Sequence, residues 1–193
     1  MLLVYNIFIR LYSAGISIAS LWNKKAKEWK NGRKDWAGKL AAMLTNMDKV
    51  IWMHCSSAGE FEQGKPVIEA LKKAYPSHKI LISFFSPSGY QVATKYTHAD
   101  FTTYLPLDTR KNSEQFLRIV KPQLVIFVKY EFWYHHLSAA AHRHTPIFLI
   151  SATFRYDQVF FRSYGGFFKQ ILFLFRHIFV QDESSLAVLN YKV

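Results

Sequence analysis

One cysteine in the whole chain, Cys55, excludes an internal disulfide and fits a reducing compartment. Its place at the end of an apolar run suits a small core residue better than a nucleophile. Nowhere do the glycines fall into G-x-G-x-x-G or G-x-x-x-x-G-K-[ST], so dinucleotide-binding and P-loop chemistry lose their main support. Repeats and low-complexity tracts are also lacking. Acidic residues are few: 13 Asp and Glu against 25 Lys and Arg leave a formal charge of +12 and a pI near 9.8. Such a balance attracts a polyanion, whether nucleic acid, an anionic membrane surface or a phosphorylated substrate. Nucleic acid is the poorest of the three, because the chain has no RNP-like motif or recognition-helix signature and its basic residues gather beside an apolar segment. With 193 residues, 50% of them hydrophobic, the chain can bury one good core and carry an appendage, but not two full domains.

The appendage is the N-terminus. Residues 1–22 are almost all apolar, and the exceptions Asn6, Arg10, Ser13, Ser17 and Ser20 recur in steps of four and three toward Lys24. On a helix these draw one narrow polar stripe and leave a wide apolar surface for lipid or protein. Positive charge follows the run (Lys24, Lys25, Lys27, Lys30, Arg33, Lys34, Lys39) where a cleaved signal peptide would have it first. The pattern predicts an uncleaved anchor, in or partly through the membrane, with the cluster on the anionic cytoplasmic leaflet at roughly 1 kcal/mol per basic residue. The competing reading is a helix packed on its own domain.

From Lys49 onward short β-rich runs alternate with helical stretches, the pattern of a parallel sheet covered on both faces. Strands are expected near Val50–His54, Ile80–Phe85, Phe101–Leu105, Leu124–Tyr130, Ile147–Ser151 and Ile178–Val180, with helices over Glu60–Tyr75, Ser88–Tyr96 and Ser113–Val120. Tyr75-Pro76-Ser77 and Lys121-Pro122 serve as breakers. The expected fold class is therefore α/β, Rossmann-like, preceded by a membrane-associated helix. The segment of greatest chemical interest runs from Trp52 to Glu60, where an apolar strand ends in small polar residues and then a carboxylate at the start of a helix. In open α/β folds that edge is where ligands gather, and Ser56, Ser57 and Gly59 let a sugar or backbone approach a helix N-terminus closely.

Several separated motifs resemble those of the 3-deoxy-D-manno-octulosonic acid (Kdo) transferases of lipopolysaccharide assembly, in their N-terminal, acceptor-side domain. They are Trp52-x-His54-x-x-Ser57-x-Gly59-Glu60, Ser86-Pro87-Ser88-Gly89, Tyr104-Leu105-Pro106-Leu107-Asp108, Pro122-Gln123-Leu124, Glu131-Phe132-Trp133 and Gln181-Asp182-Glu183, in the family's order across about residues 48–185. The resemblance implies a two-domain, inverting, metal-independent GT-B glycosyltransferase that moves Kdo from CMP-Kdo to a lipid A precursor at the cytoplasmic face of the bacterial inner membrane. It needs no cofactor beyond that donor. It further implies an anchor at 1–22, a basic linker or helix at 23–47, an acceptor-binding domain at 48–181 and, at 182–193, the start of an interdomain region. CMP-Kdo would be held by a C-terminal domain absent from this chain, leaving the chain inactive alone. Two departures stand out: Lys129-Tyr130-Glu131-Phe132-Trp133 carries a base where many members have an acid, and Ser151-Ala152-Thr153-Phe154-Arg155 replaces the commoner N-A-R-x-S. The alternative is a non-catalytic, membrane-associated or polyanion-binding α/β domain.

Glu60 is the general base that the resemblance implies. Its place in the first turn of a helix lets the dipole hold it ionised by about 0.3–1 kcal/mol, at some loss of basicity, and an ordinary N-terminal glutamate is the plain competitor. Glu131, at the expected end of the fourth strand, can enter the same crevice or pair with Lys129 or an arginine. Ser57, Gly59, Ser86, Ser88, Gly89, Glu131 and Arg155 form the acceptor-binding set, with helix capping as the competitor for the serines. His54 is a possible member. His135, His136, His142 and His144 lack Cys or Asp neighbours in sequence and read as one polar helix, so no metal is expected. Between Phe154 and Arg176, Phe160, Phe161, Tyr164, Phe167 and Phe168 interleave with Arg155, Arg162, Lys169 and Arg176, which suits a phosphorylated lipid, while Ile171, Leu172, Phe173 and Phe175 read as packing.

Overall fold

The computed structural model describes residues 1–44, 49–129 and 131–192. Six strands, β1 (Val50–Cys55), β2 (Lys79–Phe84), β3 (Phe101–Tyr104), β4 (Pro122–Val128), β5 (Ile147–Ala152) and β6 (His177–Val180), form one sheet. Their order is β3-β2-β1-β4-β5-β6 and every pairing is parallel. The fold is the expected Rossmann-like α/β. All six residues of β1 are buried, as a central strand covered on both faces requires.

Alternation divides the core in two. Val50, Trp52, Leu81, Val125 and Phe127 face one layer; Ile51, Met53, Ile80, Ile82, Phe84, Ile126 and Val128 face the other. The first layer is closed by α3 (Trp36–Met43), α6 (Arg110–Val120), α7 (Tyr134–Ala141), α8 (Gly166–Leu172) and α9 (Glu183–Lys192) through Leu40, Phe116, Leu117, Leu137, Ile171 and Val188. The second is closed by α4 (Ala58–Ala74) and α5 (Pro87–Ala93) through Phe61, Ile68 and Ala93. Lys129 and Ser151, with φ of 64° and 56°, are left-handed where β4 and β5 end. At Ser151 the β5 register slips, so Ala152 joins the same layer as Leu149.

Residues 23–47, expected as a basic linker or helix, contain two helices, α2 (Lys24–Gly32) and α3, while residues 45–48 lie outside the described residues. α1 (Leu2–Ala19) is one helix of 18 residues with a mean hydropathy of 1.5 and 6% of its length buried. Its orientation is the reverse of a soluble amphipathic helix. Asn6, Ser13, Ser17 and Ser20, with Tyr5 and Ile9, face the domain, while Arg10, expected in the same polar stripe, is exposed, as are Leu3, Val4, Ile7, Phe8, Leu11 (67% exposed) and Trp22 just beyond the helix (75%).

Candidate functional site

The order 3-2-1-4-5-6 reverses direction between β1 and β4, and the loops leaving these two strands open a crevice at the carboxyl edge of the sheet. The loop after β1 carries Ser57 and Glu60, the loop after β4 carries Glu131 and Trp133, and the turn after β2 carries Ser86, Ser88 and Gly89. One hydrogen-bonded chain joins the first two. The Trp52 indole donates to Ser83 Oγ at 2.7 Å, and His54 Nδ1 meets the same oxygen at 2.9 Å. On the other side of the ring, Trp133 Nε1 donates to His54 Nε2 at 3.2 Å. A ring that accepts at Nε2 carries its proton on Nδ1 and is neutral, in keeping with burial holding His54 below the usual histidine range. His54 therefore buttresses the crevice. Its Nε2 lies 3.7 Å from Glu131 Oε2 and its ring is wholly buried.

Glu131 does not end the fourth strand. β4 stops at Val128, the left-handed Lys129 turns the chain, and Glu131 sits in the loop with its side chain 18% exposed; the neighbouring Tyr130 lies outside the described residues. Among the described residues its titratable neighbour within 4.0 Å is the neutral His54, and no ion pair joins it to Lys129 or an arginine.

Ser57 caps α4, its Oγ accepting from the Glu60 N–H at 3.5 Å, and Glu60 reaches back so that Oε2 accepts the Ser56 N–H. This is nearly a capping box, shifted by one residue. The expectation that the helix dipole keeps Glu60 firmly ionised is overturned. Burial, with the charge of Glu131 beside it, outweighs the hydrogen bonds from Ser56 and Ser57 and the nearby Lys129 and raises the carboxyl to about 7. Glu60 is 9% exposed and lines neither of the two clefts, of about 640 and 540 Å³, that lie between α1, α6 and α7. Its Oε2 is turned back onto the Ser56 N–H at the carboxyl edge of the sheet. Burial also pushes the Cys55 thiol well up, with Glu60 and Glu131 adding to the effect, so this residue is core and not nucleophile.

The two glycines of the expected site differ. A Cβ on Gly89 would fall 2.4 Å from the Phe84 ring and 3.1 Å from the Ser57 backbone, so this glycine serves the packing of α5 against the β1–α4 turn. A Cβ on Gly59 would meet nothing within 4 Å. Gly59 is exposed, and the space beside it is open to solvent. Gly59→Ala is expected to fold at least as stably as the parent, with a gain of up to about 1 kcal/mol from helix propensity, which thermal melting checks.

Ser86 is the N-cap of α5, accepting from the Gly89 N–H at 3.3 Å and lying 3.0 Å from Ser88 Oγ, so the capping alternative describes its contacts here. The Arg155 side chain is 69% exposed and bonds to Asp157 at 3.3 Å, its backbone N–H donates to Gln158 at 3.1 Å, and among the described residues no ion pair joins it to Glu60 or Glu131. Of the aromatic segment, Phe154, Phe160, Ile171, Leu172 and Phe175 are core, whereas Phe173, expected to pack, is 62% exposed and Tyr164 is exposed with it.

Three groups at this edge make contacts that the sequence reading did not assign to them. Arg33, expected on the membrane-facing basic cluster, turns inward instead. Its guanidinium lies 3.8 Å over the Trp29 ring and donates to Leu105 O and Phe85 O at 2.8 Å and to Trp29 O at 3.1 Å. Burial lowers it to about 9 against the pull of Tyr104 and Tyr12. The aromatic residues at i−4 and in two distant motifs were the only available signal.

Asp108 and Tyr5 are the other two. The reading of His135 and His136 as part of a polar helix without acidic partners is wrong: both are buried, and His136 Nδ1 lies 2.5 Å from Asp108 Oδ1. Asp108 also accepts the His135 and His136 N–H groups at 3.0 and 2.9 Å and the Tyr5 hydroxyl. Although burial pushes its carboxyl up, the bonds from His136, Tyr5 and His135 prevail and hold it below the usual carboxylate range. Its place in the Y-L-P-L-D motif marked it without indicating a role.

Among solved structures, a crystal structure of UDP-N-acetylglucosamine 2-epimerase superposes with a TM-score of 0.55 at 14% identity, covering 77% of this chain and 46% of that one, a likeness of fold alone. A 3-deoxy-D-manno-octulosonic acid transferase of Aquifex aeolicus is 35% identical over 91 residues, 47% of this chain and 25% of the relative. Its namesake from Rickettsia felis is 29% identical over 145 residues, 73% of this chain and 31% of the relative. The chain thus spans about a quarter to a third of the length of the curated relatives it matches. The family model described as 3-deoxy-D-manno-octulosonic-acid transferase (kdotransferase) matches residues 27–190, and the chain belongs to that glycosyltransferase family.

Proposed function

We propose that this chain is the acceptor-side part of a glycosyltransferase that moves Kdo from CMP-Kdo to a lipid A precursor, with Glu60 as the general base. The observation that carries the reading is the Glu60 carboxyl, set at the β1–β4 switch, raised to about 7 and bordered by the open space at Gly59. A carboxyl near neutrality is half deprotonated at working pH and strong enough as a base to take a proton from an alcohol under attack. In the proposed step the acceptor's sugar hydroxyl oxygen attacks the anomeric carbon of Kdo, its proton passes to Glu60, and CMP leaves with the electrons of the broken bond. Attack from the face opposite the leaving group inverts the anomeric centre. Ser57 and the Ser86–Gly89 turn border the acceptor, Glu131 keeps the carboxyl basic and orients the sugar, and Arg155 is the outlying member of the set. CMP-Kdo is bound by residues beyond those in this chain, and no metal takes part.

The acceptor is a lipid, and α1 supports its delivery from a bilayer. Tyr5 and Asn6 near one end of α1 touch α7, Tyr12 further along packs edge-on to Trp29 at 6.3 Å, and Tyr12 also meets Phe85 at 5.9 Å. A helix held along its length in this way lies in the membrane plane with its outer face in lipid and does not cross it, making the protein monotopic at the cytoplasmic face of the inner membrane. Replacing Phe8 and Leu11 together by Ser is expected to weaken partition into phosphatidylglycerol vesicles, read by sedimentation, by about a hundredfold or more, from roughly 1.5–3 kcal/mol of apolar burial per side chain, without loss of fold by circular dichroism. Vesicle binding unchanged by both substitutions would remove α1 from the membrane. For the chemistry, the test is Kdo transfer by a protein in which this chain is continued by the C-terminal part of a transferase relative; no transfer from CMP-Kdo to any lipid A precursor would refute the reading.

A further inference from the structure

α7 begins immediately after the Glu131–Trp133 loop, and its N-cap residue, Trp133, makes no side-chain cap hydrogen bond. A helix start has N–H groups without intrahelical partners, and one held against the protein core must find them elsewhere. Here the partners come from two distant parts of the chain. The Tyr134 N–H donates to the Tyr5 hydroxyl oxygen at 3.3 Å, and those of His135 and His136 donate to the two oxygens of Asp108 at 3.0 and 2.9 Å. Tyr5 in turn donates its own proton to Asp108, and Asn6 Oδ1 accepts from His135 Nε2 at 2.6 Å. The first turn of α7 is thus capped jointly by Asp108 and by Tyr5 of α1, which also holds Asp108.

We infer that α1 is a positioning element of the acceptor site as well as a membrane contact, and that Tyr5 and Asp108 transmit its seating to the Glu131–Trp133 loop. Three observations converge on this. The loop and the capped turn are continuous, so a shift of the cap moves Trp133. Trp133 is tied to the crevice on its other side, stacked on Phe85 at 4.8 Å and bonded to His54, which also touches Glu131. Finally, α1 docks through the hydrogen bonds of Tyr5 and Asn6 beside the buried Ile9 and the Tyr12 ring, and hydrogen bonds with defined directions fix one seating of the helix where apolar packing alone would not. Tyr12 meets Phe85 at 5.9 Å, the same ring on which Trp133 stacks, so α1 borders the Trp133 side of the crevice. An outward apolar face and an inward polar latch on one helix link presence in a bilayer to the geometry of the loop that would hold the acceptor. The functional meaning of this latch rests on the glycosyltransferase reading above; the latch itself does not, so its test reads structure and not turnover.

The experiment uses this chain in phosphatidylglycerol-containing bicelles, as the parent and as Tyr5→Phe, Asn6→Ala and the Phe8→Ser/Leu11→Ser pair. It follows amide hydrogen exchange at Tyr134, His135 and His136 and the indole N–H resonance of Trp133. Tyr5→Phe keeps the ring and the outer face of α1, so bicelle binding should persist while those three amides exchange about tenfold faster and the Trp133 signal moves toward that of an exposed indole. Bicelles should shift the Trp133 signal of the parent but not of Tyr5→Phe or of the Phe8→Ser/Leu11→Ser pair. Asn6→Ala, which leaves the cap intact, should retain protection of the Tyr134 and His136 amides. Exchange and Trp133 signal unchanged in Tyr5→Phe would overturn the inference. An equal effect of Asn6→Ala would also overturn it, because general undocking and not the cap would then be responsible.

Discussion

Glu60→Gln is expected to lower Kdo transfer by about 10²–10⁴-fold, the usual contribution of a positioned base, in a protein that joins this chain to the C-terminal part of a transferase relative. The substitution is nearly isosteric, and Gln Oε1 can still accept the Ser56 N–H that Glu60 accepts now. Folding should therefore survive, and at higher pH should improve. A carboxyl whose folded value is raised from 4.5 to about 7 contributes stability that is complete below 4.5 and is lost as pH climbs through about 7. Above that window the parent carries a desolvated charge that the amide does not. The variant should then be the more stable of the two near pH 8, by at most about 3 kcal/mol, and equal to the parent near pH 4. This combination, activity lost while stability is gained, separates a functional carboxylate from a plain helix cap. A capping glutamate would show the opposite: little loss of activity and some loss of stability on substitution.

Asp108→Ala should have the largest effect on stability, about 3–5 kcal/mol, because it strips partners from a buried histidine, from two helix N–H groups and from Tyr5 at once. For a chain of 193 residues that corresponds to a fall of roughly 10 °C in melting temperature. Its pH dependence is opposite in sign to that of Glu60. The folded carboxyl lies below its ordinary 3.8, so its contribution is full above that value and disappears as pH drops through the lowered one. The difference in melting temperature between Asp108→Ala and the parent should thus be widest near neutrality and narrow in strong acid. A scan of thermal denaturation against pH on both proteins checks this, and a constant gap would contradict it.

The strands were legible because their chemistry is local and repetitive: Val50–Cys55 and Pro122–Val128 alternate between two buried layers, and few other conformations of such sequences would bury both faces. The crevice was legible as far as the β1 and β2 turns, where small residues and N-caps leave a clear signature. The loop after β4 was misplaced because the strand-like Tyr130 follows Lys129 and extends the β-rich composition; the left-handed turn at Lys129, invisible to periodicity, ends the strand at Val128. What the sequence hid altogether depends on partners about 100 residues apart, as Tyr5 and Asp108 are. The polar stripe of α1 could be drawn from spacing alone, but its partner on α7 could not, since His135 and His136 look like solvent-facing residues until Asp108 is brought beneath them. Arg33 is the same case: seven basic residues look alike between positions 24 and 39, and only packing against Phe85 and Tyr104 selects one of them.

The claim on which the function rests is that Glu60 is a proton acceptor tuned to neutral pH. Carbon-13 NMR titration of the Glu60 side-chain carboxyl in this chain tests it without need of donor, acceptor or a second domain. A midpoint near 7, falling toward the ordinary range when Glu131 is replaced by Gln, is the predicted result. A midpoint at the usual 4.5, insensitive to Glu131, would contradict it and leave Glu60 as a helix cap.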